Sequence, residues 1–569
     1  MNKLLWISAI LCLFVPGLSE NIPHKTADLV LIHGKIITMD ASKPTAEALA
    51  VAGDTIIAVG KTSEIKPYIS TSTQIIDLKG KLAIPGLIES HGHFTSFGNS
   101  RLKLDLKKAK NWDDIVEMVA AAVKHAKPGE WILGRGWHQE KWDRLPNPQI
   151  GGLPIHTAIS HLSPQNPVLL THASGHSIFA NAKAMELAGI TSKTPNPDGG
   201  EILKDQDGNP TGIFLETAGN PIEEALEKYL SARTPDQVQK TNIKIIEMAI
   251  RGCLENGITS FHDAGATFET IDLYKQLAQE KKLDIRLNVM IGEPNAKLRQ
   301  SIARYKLIDL YDHHLTVRSI KRLIDGALGS HGAWLLQPYD SLPTSTGLNT
   351  ESIETMKESA QIAIANGFQL CTHAIGDRAN RETLNIYEEA LKSNPTGDLR
   401  WRIEHAQHLD PADIPRFSKL HVIAAMQGIH CTSDAPWVIK RLGKERARQG
   451  AYVWRKLLDT GAVISNGTDV PVEDINPIAC FYASVTRKLK DGTIFYGDQR
   501  MSREEALRAY TLNGAYASFE EKIKGSLTIG KLADITVLSR DMLTVPEDEI
   551  PQTKVVYTII GGKILYASN

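Results

Sequence analysis

Along most of the chain, short apolar runs bounded by Gly, Pro, Asn and Asp alternate with longer stretches whose apolar residues recur every three or four positions. Eight of the short runs read as strands: Leu82–Glu89, Gly257–Asp263, Asp284–Ile291, Leu315–Ile324, Gly367–Thr372, Leu399–Glu404, His421–Met426 and Val463–Asn466. The stretches between them are amphipathic, as in Glu351 to Asn366 (ESIETMKESAQIAIAN) before the fifth. Alternation of this kind belongs to a parallel sheet with crossover helices. Eight such units predict an α/β fold built on a (β/α)8 TIM barrel. A doubly wound sheet gives the same string, so pattern alone leaves that alternative open.

Two features fall outside the regular repeat. Asp28–Asp40 and Ala48–Val59 alternate apolar and polar residues at one end, the latter turning at Gly53-Asp54; Ala533–Leu538 and Lys554–Tyr566 do the same at the other, turning at Gly561-Gly562. Strand pairs at both ends predict one small β-domain built from both termini. More than 160 residues separate Glu89 from Gly257, far more than a βα connection needs, so an inserted subdomain is expected there. Its strands and its Trp, His and Gly content predict a cap over one face of the barrel.

The 569 residues carry 64 Lys+Arg against 65 Asp+Glu, a net charge of -1. That balance argues against nucleic acid or an anionic membrane as partner. Five Cys in this length cannot form a disulfide framework, and the four outside the N-terminal segment lack CxxC spacing. Met1-Asn2-Lys3, an apolar run from Leu4 to Val15 and small residues at Gly17 and Ser19 describe a secretory signal cleaved after Ser19. The apolar run is too short to cross a ~30 Å hydrocarbon core as a helix. The expectation is a periplasmic or secreted protein with no stable membrane insertion once residues 1–19 are removed.

The chemistry gathers where the strands end. The first runs into His91-Gly92-His93, two imidazoles that share one side of an extended chain. Lys321 closes the fourth, His373 the fifth and His405 the sixth, and Asp469 follows the eighth. In a TIM barrel these positions converge on one mouth, where active sites of that fold lie. Four His and a carboxylate can hold one or two divalent ions. Lys321 is the exception, because an ammonium is no ligand. Carboxylated by CO2 it becomes an anionic carbamate able to bridge two metals; on spacing alone it reads as an ordinary Lys paired with Asp325 or a substrate anion.

The blocks PGLIESHGHF, GHSIFANAKAMELAGI, GNPTGIFLE, KRLIDGALGSHGAW, HAIGDRA, RIEHAQ, NGTDVPV and GKLADITVL occur in one order over almost the whole length. In these the chain resembles the amidohydrolase superfamily, in particular the family 3 branch that includes N-substituted formamide deformylase-like proteins. The resemblance implies a barrel over 82–515, with an inserted cap over 95–256, and a composite β-sandwich from 20–81 and 516–569. It implies metal ligation by His91, His93, His373, His405 and Asp469, with Lys321 as the carboxylated lysine and Zn2+ as the expected ion. The activity implied is hydrolysis of a non-peptide C–N bond (amide, N-acyl or N-formyl) in a small molecule, with Asp469 as general base and then general acid.

The chain departs from relatives at Ser330-His331 and Gln427-Gly428, where substrate would lie. Candidate substrate contacts are Trp137, His138, His176, Asp325, His331 and Gln427. A deaminase of the same superfamily is the nearest rival, although Ala374-Ile375-Gly376-Asp377 after His373 lacks the Glu such enzymes use. Lactone or phosphoester hydrolysis, a catalytically silent binding barrel and a homo-oligomeric state stay open.

Overall fold

The computed structural model describes residues 26–139, 142–173, 177–393 and 397–568. The expected signal at 1–19 lies outside them, as does His176.

Eight parallel strands form the central sheet: β1 (Leu87–Gly92), β2 (Ile258–Ala266), β3 (Arg286–Ile291), β4 (Leu315–Leu323), β5 (Gln369–Ala374), β6 (Arg402–His405), β7 (Ile423–Met426) and β8 (Ile464–Asn466). Each pairs with the next from β1 to β8, and the short strand Leu307–Asp309 adds to β4. The sheet curls into a nearly closed barrel. At the remaining seam the Asp469 amide donates to the His91 carbonyl and the His93 amide to the Val470 carbonyl, each at 2.8 Å. The Glu89 carboxylate crosses the same gap, accepting from the Thr468 amide at 2.7 Å and the Thr468 hydroxyl at 2.9 Å.

Strand boundaries follow the apolar runs because a barrel strand is covered on both faces. The exception is the first. The run expected as one strand, Leu82–Glu89, breaks at Gly86: Leu82–Pro85 pairs in a terminal sheet and β1 enters the barrel. Gly86 makes the crossing feasible, since a Cβ there would stand 2.2 Å from Thr259 Oγ1. Helices fill the intervals. Ile353–Asn366, between β4 and β5, starts where the Ser352 hydroxyl accepts the Thr355 amide at 3.1 Å. It stops at Gly367, whose φ of 65° is left-handed. Its buried residues include Met356, Ala360 and Ala363, at the i, i+4, i+7 spacing of one face.

Two sheets lie outside the barrel strands at the chain ends. One orders Thr55–Gly60, Ala48–Ala52, Leu29–Ile32 and Gln74–Asp77. The other orders Lys563–Ala567, Val555–Ile560, Ile535–Leu538, Leu82–Pro85, Lys35–Ile37 and Thr45–Ala46, mixing strands from both ends of the chain. Leu29, Leu49 and Val51 from the first share a buried cluster with Ile36, Ile535 and Ile559 from the second. The expected strand Asp28–Asp40 is two strands, one in each sheet, because His33 takes a φ of 53° between them. A buried ion pair ties this region to the barrel: Arg286 of β3 binds both oxygens of Asp534, at 2.7 and 2.9 Å.

Between β1 and β2 a further sheet orders Gly200–Lys204, Pro210–Glu216, Ser177–Ala180, Val168–His172, Ile132–Trp137 and Leu104–Asp105. Both faces are covered, and the side chains sort by the twofold strand period. Val168 and Leu170 join one apolar cluster and Leu169 the other. Among the described residues no helix is long and apolar enough to cross a membrane. Cys253, Cys371, Cys431 and Cys480 are buried free thiols.

Candidate active site

His91 sits in β1 and is fully buried. Its Nδ1 is hydrogen-bonded to a Glu404 oxygen, while Nε2 lies 3.4 Å from Lys321 Nζ and 3.7 Å from Asp469 Oδ1. His93, one residue past the strand, brings Nε2 to 3.2 Å from the same Asp469 oxygen. The His405 ring centroid is 4.7 Å from that of His91 and 4.4 Å from that of His373. All six residues expected as ligands, His91, His93, Lys321, His373, His405 and Asp469, therefore stand around one point at the strand ends. His405 (φ 74°) and Asp469 (φ 61°) take left-handed backbone conformations there. Such conformations cost about 1–3 kcal/mol each for residues other than Gly and concentrate at functional sites.

The electrostatics favour ligation. Burial, reinforced by the nearby Lys321, pushes the His91 imidazole down to about 4 and His373 down to about 3. His405 falls well below its usual range, chiefly by burial. These rings are therefore neutral and keep a lone pair. Burial also lowers the Lys321 amine. At Asp469 burial pulls upward, but His93, His91 and His430 outweigh it and hold the carboxyl at about 2, ionised.

Hydrogen bonds select the tautomers. Glu404 takes the Nδ1 proton of His91, leaving Nε2 free to face Lys321 and Asp469. Gln427 accepts from His405 Nδ1 at 2.8 Å, so the His405 lone pair is likewise on Nε2. Three buried polar atoms of the cluster make no hydrogen bond: His373 Nε2, His430 Nε2 and Asp469 Oδ1. Two sets of ligand atoms, His91/His93/Asp469 and His405/His430/Asp469, each lie within 4.8 Å of one another. Neutral imidazoles, an ionised carboxylate and orphaned polar atoms at one point fit a divalent cation.

Residues missed by sequence reasoning complete the site. Glu404, one position before His405, is fully buried and takes two bonds from Arg402, at 2.7 and 2.8 Å, besides that of His91. The signal was present: opposite charges two apart in a buried strand must pair with something. His430 comes from the helix Gly428–Leu442 after β7, and its Nδ1 meets Gln407 Nε2 at 2.9 Å. Beyond these groups opens a cavity of about 600 Å³, walled among others by Leu328, Ile375, Asp434, Trp437, Val472 and Glu473.

The expected substrate contacts fare differently. Asp325 and Gln427 reach the cluster but face its ligands rather than the cavity. Asp325 lies 3.6 Å from His373 Nε2 and accepts the amides of Trp334, Ile375 and Gly376 at 2.8–3.0 Å, fixing the loop after β5. Burial pushes its carboxyl up to about 7. His331 turns instead to the Ser341 hydroxyl at 3.0 Å and sets its edge on Tyr339. Trp137 belongs to the apolar core of the inserted sheet, with Nε1 donating to the Leu170 carbonyl at 3.0 Å. His138 packs against His172 in the same region, with ring centroids 4.8 Å apart. None of these five lines the cavity.

The sequence profile of the amidohydrolase family matches residues 74–566, which takes in the barrel, four of the six strands of the mixed terminal sheet and only Gln74–Asp77 of the other. The chain belongs to this family. Among its curated relatives it is 34% identical to Protein LONG AFTER FAR-RED 3 of Arabidopsis thaliana, over 95% of this chain and 92% of that one. It is 27% identical to the N-substituted formamide deformylase of Arthrobacter pascens, over 95% and 98%. The crystal structure of an uncharacterized metal-dependent hydrolase from Pyrococcus furiosus superposes with a TM-score of 0.69 at 26% identity, covering 91% of this amidohydrolase and 100% of that chain.

Proposed function

We propose that this amidohydrolase cleaves a non-peptide C–N bond, an amide, N-acyl or N-formyl linkage, in a small molecule. The observation that carries the reading is the convergence of four imidazoles, three of them held neutral by burial, with Lys321 and an ionised Asp469 around buried polar atoms that lack partners. His91, His93, His373, His405 and Asp469, with Lys321 as a carbamate, would hold one or two divalent ions, and the nitrogen–oxygen donor set suits Zn2+. When bound, such an ion lowers the pKa of water toward about 7 and polarises a carbonyl.

The chain's own groups supply the rest. Glu404 and Gln427 keep the His91 and His405 rings in the tautomer and orientation that ligation needs. The Asp469 carboxylate accepts a proton from the attacking water and returns it to the nitrogen as the C–N bond breaks. Lys321, whose amine burial shifts toward its unprotonated form, can add through the free Nζ lone pair to CO2; the N–C bond forms, one proton is released and an anionic carbamate remains. The same reading takes 20–81 with 516–569 as a composite sandwich, 95–256 as a cap over the mouth, and 1–19 as a signal removed after Ser19 on export to the periplasm or beyond.

The test is hydrolysis of p-nitroformanilide and a panel of N-acyl amines by enzyme stripped with dipicolinate. Turnover should vanish and return with Zn2+; activity that survives rigorous metal removal refutes the reading. Growth under 13CO2 should give a carbamate 13C resonance that is absent in Lys321→Ala.

A further inference from the structure

His430, Asp434 and Trp437 of the helix Gly428–Leu442 all line the cavity. At i, i+4 and i+7 they share one face of that helix. His430 lies innermost, 6% exposed, its ring stacked on that of His405 with centroids 6.2 Å apart and planes at 16°. Its Nε2 stands 3.9 Å from Asp469 Oδ2, too far for a hydrogen bond, and has no partner.

The two stacked rings look equivalent, but their neighbours hold them in opposite tautomers. Gln427 donates Nε2 to the Ala425 carbonyl at 3.2 Å, which turns its oxygen to His405 Nδ1. A carbonyl oxygen only accepts, so His405 carries its proton on Nδ1 and offers the Nε2 lone pair. Gln407 presents its amide nitrogen to His430 Nδ1. An amide nitrogen only donates, so Nδ1 of His430 is the acceptor and the ring carries its N–H on Nε2. That N–H points toward Asp469 at the inner end of the cavity and cannot ligate a cation.

We propose that His430 is a catalytic hydrogen-bond donor and not a metal ligand, its Nε2–H binding the oxygen of the scissile carbonyl. As the water oxygen bonds to the carbonyl carbon, the C=O π pair moves onto that oxygen, and the imidazole donates to it without giving up its proton. When the pair returns, the C–N bond breaks and the leaving nitrogen takes its proton from Asp469. Preorganised donors of this kind act where charge develops and need no reorganisation during the reaction. Gln407 is then a positioning residue, which fixes the tautomer. The inference rests on the hydrolase reading above, and Asp434 and Trp437 extend the same face toward the rest of the substrate.

The experiment compares His430→Phe, His430→Asn and Gln407→Glu with the parent, in three measurements: metal content by mass spectrometry, the visible spectrum of the Co2+-substituted protein, and kcat and KM on p-nitroformanilide. For His430→Phe the expected results are parental metal stoichiometry, an unchanged Co2+ spectrum, KM within about threefold and kcat lower by roughly 10²–10³-fold. His430→Asn, which keeps an N–H, should recover part of kcat, and guards against misfolding of the Phe variant. Gln407→Glu should accept from Nδ1–H, move the lone pair to Nε2 and lower kcat as much as His430→Phe does. Loss of metal or a shifted Co2+ spectrum in both His430 variants makes His430 a ligand and overturns the proposal, as does an unchanged kcat. If the metal-loaded parent hydrolyses nothing, the hydrolase reading fails separately. The Co2+ spectra of the variants then still decide between donor and ligand.

Discussion

Replacing Glu404 with Gln keeps the volume of the side chain and removes its charge, and the structure says what that should cost. Glu404 and Arg402 are both fully buried, joined by two hydrogen bonds, and the remaining Arg402 donors go to the Ser90 carbonyl at 2.7 Å and His262 Nδ1 at 3.0 Å. Both of those acceptors are neutral, since burial and the neighbouring guanidinium hold His262 well below its usual range. The variant therefore strands a guanidinium inside the barrel without a counter-charge, at a cost of about 3–5 kcal/mol. At ~2.1 cal/mol/K per residue, a cooperative unit of roughly 400 residues loses about 1.2 °C per kcal/mol. The expected fall in midpoint is thus about 4–6 °C, read by differential scanning calorimetry. Removing both charges in Arg402→Met/Glu404→Leu should recover most of the loss, because no unpaired ion remains. Metal affinity should fall about 10–100-fold in Glu404→Gln, since the carboxylate no longer anchors the His91 Nδ1 proton. A midpoint within 1 °C of the parent, or a double variant no more stable than the single one, would refute the argument.

Asp469→Asn should keep the parental melting profile but lower kcat by roughly 10²–10⁴-fold, the usual contribution of a general base; near-normal turnover removes Asp469 from that role. Gly467→Ala should cost about 1–3 kcal/mol and most of the activity, because its Cβ would stand 2.2 Å from Glu89 Oε1 and 2.7 Å from the His91 amide; a silent substitution, by melting and kinetics, would show the seam to be loose. Glu505, held at about 2 by its bonds to Arg455 against an ordinary 4.5, contributes stability above pH 4.5 that is lost as pH falls toward 2. The melting midpoint of Glu505→Gln should therefore lie below the parent at pH 6 and converge with it on acidification; a gap that does not narrow contradicts the assignment.

The barrel is legible in the sequence because strands covered on both faces are unbroken apolar runs, and seven of the eight lie within or close to the runs that mark them. The expected ligands are legible because strand ends in this architecture share one mouth. What escapes is set by backbone conformation and by distant partners rather than by residue type. A regular strand sends consecutive side chains to opposite faces, yet the positive φ of His405 brings both Glu404 and His405 to the site. His430 lies on a helix after the strand, where one His among apolar neighbours looks like any packed residue. Trp137 shows the reverse. Its setting between Gly136 and His138 suits a binding wall, but nothing in the local sequence reveals that the inserted sheet needs it for its own core.

The seam between β1 and β8 gives the site a place in time as well as in space. Glu89 and Thr468 are 379 positions apart, and His91 meets Asp469 across the same gap. At about 5–20 residues per second, a ribosome takes roughly 20–75 s to pass from one side of this gap to the other. Throughout that interval the nascent chain carries His91 and His93 beside an unpaired strand edge and lacks Asp469. Any product truncated before residue 469 is in the same state. The full set of expected ligands is present only once the stretch that also completes the barrel has been made, so no product that ends before residue 469 can carry the assembled site.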